Sequence, residues 1–134
     1  MTAYGKRGLP PDRAFVHEFL DDMAAAYDAA DLVVARAGAM TVAEIAAAGR
    51  PALLVPFAAA THGHQEANGR ALELEGAAVV VTENEATEET LAAALSVLLL
   101  DPLRLLTMGE AARRSAAPDA ASRLCDLLFE VEAA

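Results

Sequence analysis

Three short, unbroken apolar segments alternate with Ala-rich segments, and this alternation constrains the fold more than any other feature of the sequence. The three segments are "DLVVAR" (31–36), "PALLVPF" (51–57) and "AAVVVTE" (77–83). Apolar runs that are continuous, rather than alternating with polar residues, predict strands that are buried on both faces. Such strands separated by helices are typical of a parallel sheet, so we predict an α/β fold, a Rossmann-like three-layer domain with a parallel sheet.

The segments between and after these strands carry the signals of helices. In "TVAEIAAAG" (41–49), Thr41 and Glu44 have the spacing of a capping box, and Gly49 is placed to end the helix. The segment 87–101 begins with Thr87 as a predicted N-cap, followed by acidic residues in the first turn. Alanine content, glycine stops and first-turn prolines predict four further helices, at 21–30, 65–76, 102–116 and 118–134.

The N-terminal part of the chain sets the predicted domain boundary. We predict a short strand at "AFVHEF" (14–19), with His17 packed beside it, and a basic N-terminal tail at 1–13. Residues 14–134 then form a single domain with extra helices at its C-terminal end. A chain of 134 residues, 55% of them apolar, is long enough to build one core.

Charge and composition exclude several classes of protein. The chain has 20 acidic and 10 basic residues, and this net charge of −10 opposes binding to a phosphate backbone, so we expect no nucleic-acid partner. No apolar run reaches the ~18 residues of a membrane span, and the first residues lack the apolar stretch of a signal peptide, so we expect a cytoplasmic protein. The one cysteine, Cys125, is predicted to be a small buried side chain on the apolar side of a helix.

Ligands of parallel α/β sheets bind beyond the carboxyl ends of the strands, which directs attention to three loops. These are 36–41, 57–64 and the turn after 14–19. In the first, Gly38 lies between Ala37 and Ala39, where it either serves a tight turn or lets a ligand approach the backbone at a helix start. Two roles are likewise open for Glu44. It is either the capping-box partner of Thr41 or, if the helix begins earlier, a carboxylate free to bind the hydroxyls of a ribose.

The second loop contains the chain's other polar candidates. His62 and His64 precede Glu66, but a third spaced ligand is lacking, so we predict no metal site. Gln65 and Asn68 open the next helix, either as ordinary polar residues of a helix start or as ligand contacts. No nucleophilic triad can be assembled from the sequence, and no catalytic residue is assigned.

The quoted motifs resemble a known family. "FLDDMAAAYDAADLVVARAGAMTVAEIAAAGRPALLVPF" and "HQEANGRALELEGAAVVV" are similar to the C-terminal donor-binding domain of MurG-like UDP-N-acetylglucosamine glycosyltransferases (GT-B fold, glycosyltransferase family 28). The resemblance extends over residues 14–125. It implies a UDP-GlcNAc-dependent hexosyltransferase without a metal or other cofactor, an inverting N-acetylglucosaminyltransferase that converts lipid I to lipid II in peptidoglycan synthesis.

Positions that match the family's motifs imply a set of donor contacts. Glu44 would hold the ribose hydroxyls, and the nucleotide and its diphosphate would lie against Gly38, Ala39, Met40 and Thr41. The uracil side would be lined by Phe19, Leu20 and Met23. The GlcNAc side would be lined by Gln65, by His64 where the family commonly has Gln, and by Asn68.

The chain also departs from the family, and the departures imply a partner. The family's acceptor-binding N-terminal domain and its glycine-rich diphosphate loop have no counterpart in this sequence, so the donor domain is expected to be partial. An exposed sheet edge would then favour a homodimer or a partner chain. We expect the chain to be the donor-binding part of the transferase, inactive alone and held at the inner face of the plasma membrane through the partner domain. The alternative is a non-catalytic donor-binding subunit that needs a second chain.

Overall fold

The computed structural model of the chain describes residues 14–60 and 63–132. Three strands and six helices alternate within these residues in the order α1, β1, α2, β2, α3, β3, α4, α5, α6. The strands are β1 (Val33–Ala35), β2 (Ala52–Leu54) and β3 (Ala78–Val80). The helices are α1 (Met23–Ala29), α2 (Ala39–Ala48), α3 (His64–Leu74), α4 (Glu88–Leu99), α5 (Pro102–Ser115) and α6 (Ala120–Glu132).

The strands form one parallel sheet in the order β1-β2-β3. In its register Val34, Leu53 and Val79 lie side by side. The middle strand β2 is completely buried, because it is paired on both edges and covered on both faces. The prediction of an α/β fold with a parallel Rossmann-like sheet is therefore confirmed, with strands shorter than the apolar runs that indicated them.

Successive residues of the strands point to opposite faces of the sheet and belong to two separate hydrophobic cores. On one face Leu54 and Val80 pack with side chains of α2, α3 and α5, among them Ile45 and Leu72. On the other face Leu53 packs with residues of α4 and α5 and with Val81. Helix α5 contributes to both cores, through Met108 to one and through Ala111 and Ala112 to the other. The three layers are thus held together by α5 as well as by the sheet.

The predicted helix ends are correct at two places and wrong at one. Thr87 is the N-cap of α4, its side chain accepting from the backbone N–H of Thr90, and Gly49 ends α2 in the left-handed conformation at φ 64°. Helix α2, however, begins at Ala39 with Gly38 as its N-cap. The N-cap predicted at Thr41 is therefore three residues too late.

The strand predicted at 14–19 is absent, which corrects the sequence interpretation. These residues have no regular secondary structure, and Phe15 and Phe19 are 79% and 78% exposed. A strand needs the backbone of a neighbour, and no described strand pairs with this segment. His17 is accordingly exposed and not packed beside a strand.

The prediction that Cys125 is buried is also wrong, since its side chain is exposed on α6. The apolar residues Leu124, Leu128 and Phe129 of this helix are exposed too, and none of the described side chains of α6 belongs to either core. Among the described residues no single helix is long and apolar enough to cross a membrane. The segment Glu88–Leu99 and the segment Pro102–Asp126, which spans α5 and the first part of α6, reach the necessary length and composition only together, and the pair is bent by 92°.

Candidate functional site

Three loops meet at the edge of the sheet where the strands end, and Arg36 connects them. Its side chain follows directly after β1 and donates through Nη1 to the carbonyl oxygens of Val55 (3.2 Å) and Pro56 (3.3 Å). Its Nη2 lies 2.8 Å from Oε1 of Glu83, in the loop after β3. The guanidinium also stands over the ring of Phe57, 5.5 Å from its centroid. One cation therefore holds the loops that follow all three strands.

The loop after β2 is fixed by two further side chains. Oε2 of Glu83 accepts from the backbone N–H of Ala58 at 2.8 Å, and Oε1 of Gln65 accepts from that of Phe57 at 2.9 Å. The Ala58 N–H and then the Arg36 guanidinium hold the pKa of Glu83 below its ordinary range, because both favour the ionised carboxylate. Gln65, which the family resemblance assigned to the sugar, thus has its side-chain oxygen engaged with the protein's own backbone.

The start of α2 presents backbone donors at the same edge. Gly38 caps the helix without a side-chain hydrogen bond, and the first described amide to donate in this turn is that of Val42, to the Gly38 carbonyl at 2.9 Å. The N–H groups of residues 39–41 make no hydrogen bond within the described chain, as expected for a first turn. A Cβ on Gly38 would meet nothing closer than Oγ1 of Thr41 at 3.8 Å, so the backbone here is open to approach. Three amides and the positive end of the helix dipole together favour an anion.

Glu44 does not form the predicted capping box. Because α2 begins at Ala39, Thr41 occupies the third helical position and Glu44 lies in the second turn, not in the first. Its Oε2 accepts a hydrogen bond from the hydroxyl of Tyr27 on α1 at 3.0 Å. The side chain is exposed and makes no other hydrogen bond with the described residues. Glu44 is therefore a carboxylate with one oxygen held and the other open.

A groove of about 820 Å³ runs between α2, α3 and the α5–α6 connection, and it gathers four of the predicted residues, Ala39, Met40, Glu44 and Asn68. Asn68 is held beside the loop after β1, where its Nδ2 donates to the carbonyl of Ala37 at 3.3 Å. The approach of α3 to this loop depends on Gly69, since a Cβ there would lie 3.3 Å from that of Ala37. The groove thus lies between the start of α2 and the later part of α3, from Asn68 onward.

The other predicted residues do not line this groove. Phe19, Leu20 and Met23 are exposed at and before the start of α1, and His64 and Gln65 open α3. His62 lies outside the described residues. No group of three His, Cys, Asp or Glu side chains in the described parts of the chain is placed to hold a metal ion. A second cavity, of about 480 Å³, is lined by residues such as Arg50, Leu105 and Arg113, and by none of the predicted site residues.

Sequence reasoning missed three residues that hold parts of the candidate site: Arg36 and Glu83 at the sheet edge, and Tyr27 against Glu44. Arg36 and Glu83 are the last residues of the apolar segments that form β1 and β3. Because the carboxyl ends of parallel strands lie at one edge of the sheet, charged residues at these two positions could have been predicted to meet there. Tyr27 carried a weaker signal as the one aromatic residue in an Ala-rich helix. Its contact with Glu44 joins residues 17 apart, and no local pattern predicts such a pair.

Comparison with known proteins agrees with this geometry. Residues 4–124 match the family described as "Glycosyltransferase family 28 C-terminal domain". The UDP-N-acetylglucosamine--N-acetylmuramyl-(pentapeptide) pyrophosphoryl-undecaprenol N-acetylglucosamine transferase of Anaeromyxobacter sp. (strain Fw109-5) is 46% identical over 128 residues, 96% of this chain and 33% of that protein. The enzyme of the same name from Halorhodospira halophila is 50% identical over 130 residues, 97% of this chain and 36% of that protein.

A solved structure supports the same relationship. The crystal structure of Acinetobacter baumannii MurG superposes with a TM-score of 0.79 at 39% sequence identity, over 84% of this chain and 32% of that one. The chain spans about a third of the length of the curated relatives that it matches. With the fold, the helix starts at the sheet edge and these similarities in agreement, the chain belongs to the glycosyltransferase family 28 C-terminal domain family.

Proposed function

We propose that this chain forms the UDP-GlcNAc-binding part of an inverting N-acetylglucosaminyltransferase that acts on a lipid-linked peptidoglycan precursor, lipid I. The names of its relatives support the donor and the class of acceptor. The observation that carries the proposal is the carboxylate of Glu44, which has one open oxygen and shares a groove with the start of α2. Residues 14–134 would act as a single donor-binding domain.

The proposed donor contacts follow from the chemistry of a nucleoside diphosphate. Glu44 would accept hydrogen bonds from the ribose hydroxyls. The diphosphate would lie on the amides of residues 39–41, where the open face of Gly38 permits close approach. The uracil is assigned to Phe19, Leu20 and Met23, and the sugar to His64, Gln65 and Asn68. Gln65 can serve the sugar through its amide nitrogen while its oxygen remains on the backbone of Phe57.

The proposed reaction is a direct displacement at the anomeric carbon. A hydroxyl of the acceptor attacks that carbon and gives its proton to a base outside this chain, the bond to the UDP oxygen breaks, and UDP leaves with the bonding electrons. The negative charge that develops on the diphosphate would be stabilised by the α2 amides and the helix dipole. We assign no catalytic base to this chain, so the acceptor would be bound and activated by the remainder of a protein as long as the relatives. We expect the isolated chain to bind UDP but to show little turnover.

Calorimetric titration with UDP tests this proposal. Replacing Glu44 with Ala or Gln should weaken UDP binding about 10- to 100-fold, since each removes charge-assisted hydrogen bonds to the ribose. Glu75→Gln is the matched control. Glu75 lines the same groove at the C-terminal end of α3, so the substitution removes the same charge at a distance from the start of that helix. Equal affinities for wild type and both Glu44 variants would refute the ribose assignment, and absence of UDP binding by the wild type would refute the donor site.

A second candidate function is a donor-binding subunit that works only with a partner chain. The outer edge of β1 favours it, because no described strand pairs with that edge and Val34 is 54% exposed there. An open edge offers backbone hydrogen bonds to a strand of another chain. Light scattering coupled to size exclusion distinguishes the candidates. A stable monomer that binds UDP tightly would count against the partner-dependent subunit, and a homodimer or a co-purifying chain would support it.

A further inference from the structure

We propose that Tyr27 is a positioning residue for the donor, and that it holds the carboxylate of Glu44 in the orientation that recognises the ribose. This inference rests on the proposed function and deepens it. Tyr27 does not line the groove and need not touch the nucleotide. It would act through one hydrogen bond, from its hydroxyl to Oε2 of Glu44 at 3.0 Å.

The two partners differ in how firmly they are held. Tyr27 is 9% exposed and belongs to the buried core between α1, α2 and the sheet, in the same cluster as Ile45 and Ala46. Its ring is therefore fixed by packing. Glu44 is exposed on α2 and has a long side chain with many rotamers. A fixed donor beside a flexible acceptor selects one rotamer of the acceptor before any ligand arrives.

The contact leaves the carboxylate able to bind a ligand. An ionised carboxylate has two oxygens and about four acceptor positions, and the Tyr27 hydroxyl uses one of them. Oε1 has no hydrogen bond within the described chain, so it remains open to a ligand. The two neighbouring hydroxyls of a ribose need two acceptors at a fixed spacing, which a restrained carboxylate offers at a lower entropic cost than a mobile one.

The protonation of Tyr27 suits this role. Burial, followed by the hydrogen bond to Glu44 and the charge of that carboxylate, raises the pKa of the Tyr27 hydroxyl above its ordinary value. The phenol therefore keeps its proton at neutral pH and can only donate to Glu44. A phenylalanine ring would fill the same space without this donor.

A purely structural tie between α1 and α2 predicts a different result from a positioning role. If the bond only joins the helices, its removal lowers the stability of the domain and weakens all nucleotides alike. If it orients Glu44, its removal specifically weakens ligands that carry ribose hydroxyls. The discriminating quantity is the ratio of the Kd for 2′,3′-dideoxy-UDP to the Kd for UDP.

The experiment measures this ratio by calorimetry for wild type, Tyr27→Phe, Glu44→Gln and the double variant. In the wild type we expect this ratio to be about 10 or more. In Tyr27→Phe we expect the ratio to fall about threefold or more, because UDP binds more weakly while the affinity for the dideoxy nucleotide stays at the wild-type value. Because Tyr27 would act through Glu44, adding Tyr27→Phe to Glu44→Gln should change nothing further. Thr107→Val is the control, since it removes a hydroxyl whose hydrogen bond in the described part of the chain is to the Leu103 carbonyl, within α5 itself.

The outcomes separate the two proposals. A ratio that falls in Glu44→Gln but stays at the wild-type value in Tyr27→Phe overturns the role of Tyr27 and leaves the donor site intact. A ratio unaffected by Glu44→Gln overturns the ribose assignment and the positioning role with it. Equal weakening of both nucleotides by Tyr27→Phe, together with a lower unfolding midpoint, would show that the bond is only a structural tie.

Discussion

Arg36 and Glu83 lie 47 residues apart and join the ends of the two outer strands across the loop that follows the middle one, with Nη2 and Oε1 2.8 Å apart. Both side chains also bond the backbone of that loop, Arg36 at two carbonyls and Glu83 at one N–H. The pair is partly solvent-exposed, so its direct attraction contributes little to stability. Its main effect is to fix the shape of the loop at the proposed donor edge.

The first prediction concerns acid. The pKa of Glu83 is lowered in the folded chain, so its contribution to stability is present above its ordinary pKa of 4.5 and is lost as the pH falls through the lowered value. We expect urea melts to show a loss of stability below pH 4.5 that is smaller in Glu83→Gln. Glu18→Gln removes the same charge from an exposed segment where Glu18 makes no described contact, and should keep the wild-type pH dependence. Identical acid profiles for wild type and Glu83→Gln would contradict the prediction.

The second prediction compares two threonines at helix starts. Thr87→Ala should destabilise the domain by about 0.5–2 kcal/mol, since it removes the side chain that accepts from the Thr90 N–H. Thr41→Ala should cost less than about 0.5 kcal/mol, because Thr41 lies inside α2 and caps nothing. Chemical denaturation of both variants measures the difference. A larger loss of stability for Thr41→Ala than for Thr87→Ala would contradict the structure and would favour Thr41 as a helix cap.

The third prediction concerns the close approach of α5 to the end of α2. A Cβ at Gly109 would stand 2.9 Å from the carbonyl oxygen of Gly49, a backbone atom that cannot swing aside. Gly109→Ala should therefore separate the helices and cost about 1–3 kcal/mol, despite the better helix propensity of alanine. Glu110→Ala, at an exposed position of the same helix, is the control and should be nearly neutral. Thermal unfolding of the two variants provides the comparison.

The fourth prediction tests the core on the α4 side of the sheet. Leu53 belongs to the middle strand and is completely buried under α4. Leu53→Ala should therefore lower the free energy of unfolding by about 2–5 kcal/mol, through lost burial and the cavity left behind. Leu100→Ala removes the same atoms from a side chain that is 84% exposed, and should stay within about 0.5 kcal/mol of the wild type. A similar loss in the two variants would mean that α4 does not cover this face.

The sequence by itself determined the class of fold and those features that depend on neighbouring residues. The unbroken apolar runs at 31–36, 51–57 and 77–83 correctly predicted parallel strands, because a strand covered on both faces has no polar side to alternate. The predicted burial on both faces holds for β2 but not for the outer strand β1, where Val34 is 54% exposed. Thr87 and Gly49 were correctly placed as helix ends, since a cap is made within one turn of the chain.

Only the tertiary structure decided the rest. The apolar segment 14–19 had strand composition but no strand to pair with, and Cys125 had a helical apolar pattern but no core beside it. Gly38, not Thr41, begins α2, and this shift takes Glu44 out of the capping box and places it against Tyr27. Contacts between residues far apart in the chain depend on how the helices and loops pack against one another, and local spacing does not encode that packing. For the same reason the sequence indicated that Glu44 mattered, and the packing of α1 against α2 set which partner it meets.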